Sequence, residues 1–262
     1  MIKKRIIAVV SISDGIVVQS FSYNNKLPLG RPEAFIKNLD RWMVDEILVN
    51  DFSRSKNNKS PDYDLIKRIG RISKNTPIIY SGGVKTANEA SRIINYGFER
   101  IAFDSLYHSS PKEFELIAKM IGSQAIIINL PLCIKHKKLY HYNYINKNSE
   151  EFNVDKIFKY RDFFSELMLT DYKNEGRKKG FNYEIISQFC KLNNKFKIIA
   201  FGGISENTQV QKIIKNNDIT AVCVGNFLNY REISYQSLKE FLVLKKIKSI
   251  RPPNYKKLFS DE

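Results

Sequence analysis

The stretch Ile78-Ile79-Tyr80-Ser81-Gly82-Gly83-Val84 returns 120 residues later as Ile198-Ile199-Ala200-Phe201-Gly202-Gly203-Ile204. The same offset superposes Glu46 on Glu166, Asp51 on Asp171, Tyr63-Asp64-Leu65-Ile66 on Tyr183-Glu184-Ile185-Ile186, and Ile93-Ile94 on Ile213-Ile214. One offset that holds without a gap over separate segments argues for two related halves rather than a chance likeness of two turns. Outward from the repeat, aliphatic and β-branched runs recur from Arg5 to Val10, Glu46 to Asn50, Pro77 to Tyr80, Arg100 to Phe103, Ala125 to Leu130, Glu166 to Thr170, Lys197 to Phe201 and Thr220 to Val224. Their near-continuous hydrophobicity predicts parallel strands covered on both faces.

Helix-period stripes lie between them, as in Leu65, Ile66, Ile69, Ile72 and in Phe114, Ile117, Ala118, Ile121, each with one apolar face. Thr86 with Glu89 predicts a capping box, and Gly97 sits where that helix should end. Two halves of four βα units give an α/β fold, a (βα)8 TIM barrel with a two-fold half-barrel repeat, and 262 residues is its usual size. A doubly wound open sheet has no reason to repeat at half length. We therefore expect a single barrel over 1–250, with halves of about 1–120 and 121–245, and a surface tail over 251–262. Phe21 to Arg31 and Lys135 to Tyr144 read as equivalent mobile loops after the first and fifth strands.

Composition excludes several classes. Forty-three Lys and Arg against 27 Asp and Glu leave a net charge of +16, but the charges are dispersed. That pattern fits a solvated surface better than a specific nucleic-acid patch. Cys133, Cys190 and Cys223 lie far apart, with no CxxC and no histidine at metal-ligand spacing, as in reduced thiols of a cytoplasmic protein. The opening MIKKRIIAVVSISDG is broken by Ser11, Ser13 and Asp14 and reads as a strand, not a leader. No run is long and apolar enough to span a membrane. With no P-loop, Ser-His-Asp spacing or zinc signature, no cofactor and no metal are expected, and His108, His136 and His141 read as loop or surface residues.

A barrel of this kind carries its site at the carboxyl ends of the strands. Those positions are Ser11, Asp51, Gly82-Gly83, Asp104-Ser105, Pro131, Asp171, Gly202-Gly203 and Gly225-Asn226. Gly202-Gly203 with Gly225-Asn226 forms a candidate phosphate cradle, since glycines let backbone N–H groups approach an anion. The repeat supplies a second at Gly82-Gly83 and Asp104-Ser105, so a ligand with a phosphate at each end is expected. Asp51 and Asp171 are symmetry-related carboxylates that could act as acid and base or could cap backbone amides.

Lys4-Arg5-Ile6-Ile7-Ala8, Asp14-Gly15-x-Val17-Val18, Asp45-Glu46-Ile47-Leu48, Gly82-Gly83-Val84, Gly122-Ser123-Gln124-Ala125 and Gly202-Gly203 resemble the cyclase subunit of imidazole glycerol phosphate synthase, almost end to end. The resemblance implies a (βα)8 barrel that receives ammonia from a glutaminase on its amino-terminal face and closes the imidazole ring of a bisphosphorylated substrate. It also implies an ammonia gate at Arg5, Glu46, Arg100 and Glu166. The family's two catalytic aspartates fall on Ser11 and Pro131, its substrate-loop lysine on Gln19, and its Asp-Gly after strand six on Glu175-Gly176, which adds Gly176 to the phosphate contacts. Neither serine nor proline does carboxylate chemistry.

Leu27-Pro28-Leu29-Gly30-Arg31-Pro32-Glu33 with Asn38-Leu39-Asp40-Arg41-Trp42 resembles cyclase-like paralogues of bacterial surface-polysaccharide clusters. Those paralogues are thought to work with a glutaminase and a sugar amidotransferase that forms acetamidino groups. The expected function is thus an ammonia-receiving or ammonia-relaying barrel of a glutamine amidotransferase complex. The rivals are a genuine histidine-pathway cyclase and a non-catalytic scaffold.

Overall fold

The computed structural model describes residues 3–144, 147–192, 196–229, 233–247 and 249–253. Its strands are β1 (Arg5–Ser13), β2 (Ile16–Phe21), β3 (Asn25–Gly30), β4 (Glu46–Asp51), β5 (Ile78–Ser81), β6 (Arg100–Phe103), β7 (Ile126–Lys135), β8 (Lys138–Asn143), β9 (Asn148–Glu151), β10 (Glu166–Asp171), β11 (Ile198–Phe201) and β12 (Ile219–Val224). Its helices are α1 (Pro32–Arg41), α2 (Phe52–Lys56), α3 (Tyr63–Ile72), α4 (Ala87–Asn95), α5 (Leu106–Ser109), α6 (Pro111–Ile121), α7 (Asp155–Phe158), α8 (Tyr183–Leu192), α9 (Asn207–Ile214) and α10 (Ser234–Leu244).

Parallel pairing runs β10-β11-β12-β1-β4-β5-β6-β7, and β7 pairs back onto β10. The eight strands read from the hydrophobic runs therefore close into the expected (βα)8 barrel. Closure leaves no free sheet edge among them. Helices pack outside, and the apolar core divides accordingly. One layer lies between strands and helices, where Ile47, Val49, Ile66, Ile69, Ile93 and Ile117 are buried. The other fills the bore with Ile7, Leu48, Ile79, Ile127, Met168 and Ile199. The Thr86–Glu89 capping box is formed on α4.

Both expected mobile loops are instead β-hairpins. After β1 the chain turns at Asp14-Gly15 and forms β2 and β3, with Val18 opposite Pro28 and Gln19 opposite Leu27. Asp-Gly between β-rich runs is a strong hairpin signal, and Pro28 is tolerated because β3 is an edge strand. After Pro131, β7 continues to Lys135, reverses at His136-Lys137 and returns as β8 and β9. His136 and Lys137 both carry positive φ, 48° and 60°, the geometry of a tight two-residue turn without the usual Asn or Gly. Of the tail expected over 251–262, residues 251–253 carry no regular structure and the rest lie outside the described residues. Among the described residues no helix is long and apolar enough to cross a membrane.

Gly70 inside α3 shows how tightly the outer layer packs. A Cβ there would sit 1.7 Å from the carbonyl oxygen of Tyr96, just past the end of α4. Helix propensity alone favours Gly→Ala by about 1 kcal/mol. We expect Gly70→Ala to destabilise by about 1–3 kcal/mol in denaturant unfolding, because overpacking outweighs propensity; a more stable variant would contradict the close approach.

Candidate functional site

At the amino ends of the strands four charges close on one another. Arg5 on β1 reaches Glu46 on β4 at 3.1 Å and Glu166 on β10 at 2.5 Å, while Arg100 on β6 reaches Glu166 at 2.7 Å and Glu46 at 3.6 Å. Each arginine bridges both carboxylates, so the ring is continuous across the base of the bore. Thr220 Oγ1 donates to Glu166 and accepts from Arg5, and Ser165 Oγ accepts from Arg100 at 2.9 Å. Burial would raise Glu166, but the charges of Arg100 and Arg5 and the bonds from Arg5 and Thr220 hold it below its ordinary value. Glu46 is raised, because its burial outweighs Arg5 and Arg100 and Glu166 repels it.

Above the ring the bore is apolar through Ile7, Leu48, Ile79, Ala102, Ile127, Met168, Ile199 and Cys223. It opens into a cavity of about 730 Å³ at the carboxyl ends of the strands. Asn50, Ser81, Asn129, Pro131 and Thr170 line it, as do Tyr23, Phe52, Tyr142, Tyr144 and Tyr172 and the cations Lys56, Lys147, Lys173 and Arg177. Among the described residues Asp104 is its only lining carboxylate. Thr170 donates to Asn129 Oδ1 at 2.6 Å, and Tyr142 stacks on Tyr172 with centroids 4.6 Å apart. Pro131 faces this cavity, and Ser11 lines the recess beside it.

Side-chain alternation along a strand decides which polar residues reach the mouth. Asn50 and Thr170 line the cavity; their neighbours Asp51 and Asp171 do not. Asp51 accepts from Ser53 Oγ at 2.8 Å and pairs with Arg54 at 3.5 Å. Asp171 accepts from the amide of Asn182 at 2.9 Å and from Asn174 Nδ2 at 2.7 Å. Burial raises both, against the hydrogen bonds they accept. The structure thus places this pair in loop capping, outside the recesses of the mouth. A Cβ on Gly82 would lie 2.5 Å from the Asp51 carbonyl oxygen, and one on Gly202 would lie 2.6 Å from that of Asp171. Glycine at these positions is required by the close approach of neighbouring strand ends.

The remaining strand-end residues gather in two recesses flanking the cavity. Gly176, Gly202, Gly203, Gly225 and Asn226 line one, with Arg177 and Lys178. Gly82, Gly83, Asp104 and Ser105 line the other, with Lys56, Lys85 and Lys147. Gln19, at the position of the resembling family's substrate-loop lysine, is buried on β2. His108 and His136 are exposed, as expected. His141 is not a surface residue: it is half-buried on β8, and burial followed by the charge of His108 pushes it down to about 4. All three cysteines are unpaired by disulfides, and among the described residues no group of His, Cys, Asp and Glu could hold a metal ion. Sequence reading missed the aromatic lining, since Tyr142 and Tyr144 belong to the hairpin it took for a loop.

A (βα)8 barrel with a charged ring at its base, an apolar bore and a polar mouth is the class that the fold and site define. Within that class the chain belongs to the histidine biosynthesis protein family, whose profile matches residues 5–234. Its relatives include a putative imidazole glycerol phosphate synthase subunit HisF of Leptospira interrogans, 26% identical over 239 residues, covering 89% of this chain and 92% of that protein. A putative subunit hisF2 of Vibrio vulnificus (strain YJ016) is also 26% identical, covering 89% and 86%. The imidazole glycerol phosphate synthase subunit HisF of Natranaerobius thermophilus is 24% identical over 249 residues, covering 92% and 96%.

Removing one member of a buried ion cluster strands its partners. Glu166→Ala is expected to cost about 3–5 kcal/mol; a loss under about 1 kcal/mol would mean that the ring behaves as an exposed pair. The pH dependence has opposite signs at its two carboxylates. Glu166, held below 4.5, contributes stability that is present above pH 4.5 and lost as the pH falls through its folded value. Glu46, held above 4.5, takes the first proton. Carboxyl carbon-13 titration should show Glu46 leading; Glu166 leading would contradict this.

Proposed function

We propose that this chain is the ammonia-receiving barrel of a glutamine-dependent amidotransferase complex that serves acetamidino-sugar formation in surface-polysaccharide biosynthesis. The observation that carries the reading is the closed ring of Arg5, Glu46, Arg100 and Glu166 beneath an apolar bore. Alternating charges can part and re-pair around a small neutral molecule. Ammonia meets that condition and tolerates an apolar bore; ammonium pays the desolvation of a full charge. A glutaminase docked over the ring on the amino-terminal face would deliver ammonia directly into it.

The mouth supports a changed acceptor. Ser11 and Pro131 occupy the positions of the ring-closing carboxylates in the resembling family, and apart from Asp104 the described residues lining the central cavity are neutral amide, hydroxyl, aromatic and cationic. Asn50, Asn129 and Thr170 can orient a neutral nucleophile emerging from the bore by hydrogen bonds without taking its proton. Gly176, Gly202, Gly203, Gly225 and Asn226, with Arg177 and Lys178 beside them, suit a phosphate group on the ligand. The sugar amidotransferase partner is supported by the loop resemblance over Leu27 to Trp42. A second reading, a histidine-pathway cyclase, is favoured by the names of the relatives.

Gate variants test the relay. With the glutaminase and amidotransferase partners present, Glu46→Ala should lower glutamine-driven amidation at least about tenfold, a change of about 1.4 kcal/mol, while amidation driven by added ammonium persists. Glutamine-driven amidation that is unchanged in Glu46→Ala and Arg5→Ala would overturn the relay.

A further inference from the structure

The two recesses of the mouth are related by the repeat, yet they no longer carry the same chemistry. At the strand ends one half presents Gly225-Asn226 and the other Asp104-Ser105, the offset of 120 setting Ser105 against Gly225 and Asp104 against Val224. Glu175 lines the first recess, but its carboxylate is engaged within the protein: it accepts from Ser20 Oγ at 3.0 Å and from the amide of Tyr23 at 3.2 Å. In the second recess Asp104 stands in the wall itself. Tyr144, at the end of the hairpin that crosses the mouth, donates its hydroxyl to Asp104 Oδ1 at 3.1 Å and lies 3.1 Å from Ser105 Oγ. Among the described residues no lysine or arginine forms an ion pair with Asp104.

Two of the donors an anion would use on this side are occupied, while Lys56 and Lys147 also line the recess. The Gly83 amide donates to Ser55 Oγ at 3.0 Å. Lys85 is tied to Asn58, 2.6 Å from its Oδ1 and 3.2 Å from its carbonyl oxygen. A phosphate entering here would meet a carboxylate without a cation of its own, in a half-enclosed site where like charges are poorly screened.

We propose that Asp104, positioned by Tyr144, converts the recess of Gly82 and Gly83 from a phosphate cradle into a subsite for hydrogen-bond donors. The ligand of the mouth then carries phosphate at one end only, in the recess of Gly202, Gly203 and Gly225, and presents hydroxyl or amine groups to Asp104 at the other. This replaces the doubly phosphorylated ligand expected from the repeat alone. A sugar phosphate with a free hydroxyl-bearing end has that chemistry, with the tyrosine walls available to its apolar faces. The proposal rests on the reading above that the Gly202-Gly203 recess holds phosphate.

The test uses inorganic phosphate and the full nitrogen-15-labelled chain at neutral pH, followed by amide resonances. In the native protein the amides of Gly202, Gly203 and Gly225 should move and saturate, while those of Gly82, Gly83 and Ser105 stay still. Asp104→Asn should make the second set move, with affinity raised there by about tenfold or more. Tyr144→Phe keeps the carboxylate and should not admit phosphate, which separates charge from disturbance of the hairpin. Movement of both sets at equal phosphate concentration in the native chain, or a still second set in Asp104→Asn, would overturn the proposal. If the Gly202 set itself stays still, the phosphate reading of that recess fails first, and this proposal with it.

Discussion

The ion ring at the base of the barrel is the constraint around which the rest of the structure is arranged. Four buried or half-buried charges are tolerable only when each meets its opposites with good geometry, and here both arginines bridge both glutamates. That demand fixes the relative heights of β1, β4, β6 and β10, strands drawn from both halves of the chain. Thr220 and Ser165 supply the remaining bonds. Once those heights are set, alternation determines what every layer above presents: aliphatic side chains in the bore, then amides and hydroxyls at the mouth.

The same alternation sends the most chemically suggestive residues outward. Asp51 and Asp171 end their strands one position past the inward-facing Asn50 and Thr170, and their carboxylates hold loops together. The mouth is consequently poor in carboxylates, Asp104 being the only one among the described residues that line its central cavity. Such a mouth suits the proposed role, in which the barrel receives ammonia for a reaction other than imidazole closure.

Much of this was legible in the sequence because periodicity is a strong signal. All eight barrel strands coincide with aliphatic runs, and the offset of 120 pairs Glu46 with Glu166 before any contact is known. The ring as a set of four required the family resemblance, since no local pattern links Arg5 to Arg100. What stayed hidden has physical reasons. The turns at Ser22-Tyr23 and His136-Lys137 take left-handed backbone without glycine or asparagine, so nothing announces the hairpins that carry Tyr23, Tyr142 and Tyr144 over the mouth. Which of two adjacent polar residues faces inward depends on barrel register, which pairing across strands settles and a single strand does not. Asp14-Gly15, by contrast, was a readable turn.

The central claim is that the chain keeps the entry route for ammonia and lacks the groups that close an imidazole ring. It is tested most directly by incubating the purified chain with ammonium at alkaline pH and the bisphosphorylated ribulosyl intermediate of histidine biosynthesis, which needs no partner protein. The account predicts no imidazole glycerol phosphate above the enzyme-free control from a sample whose folding is verified by its cooperative unfolding. Catalytic formation of imidazole glycerol phosphate would contradict it, and would show that other residues stand in for the carboxylates absent at Ser11 and Pro131.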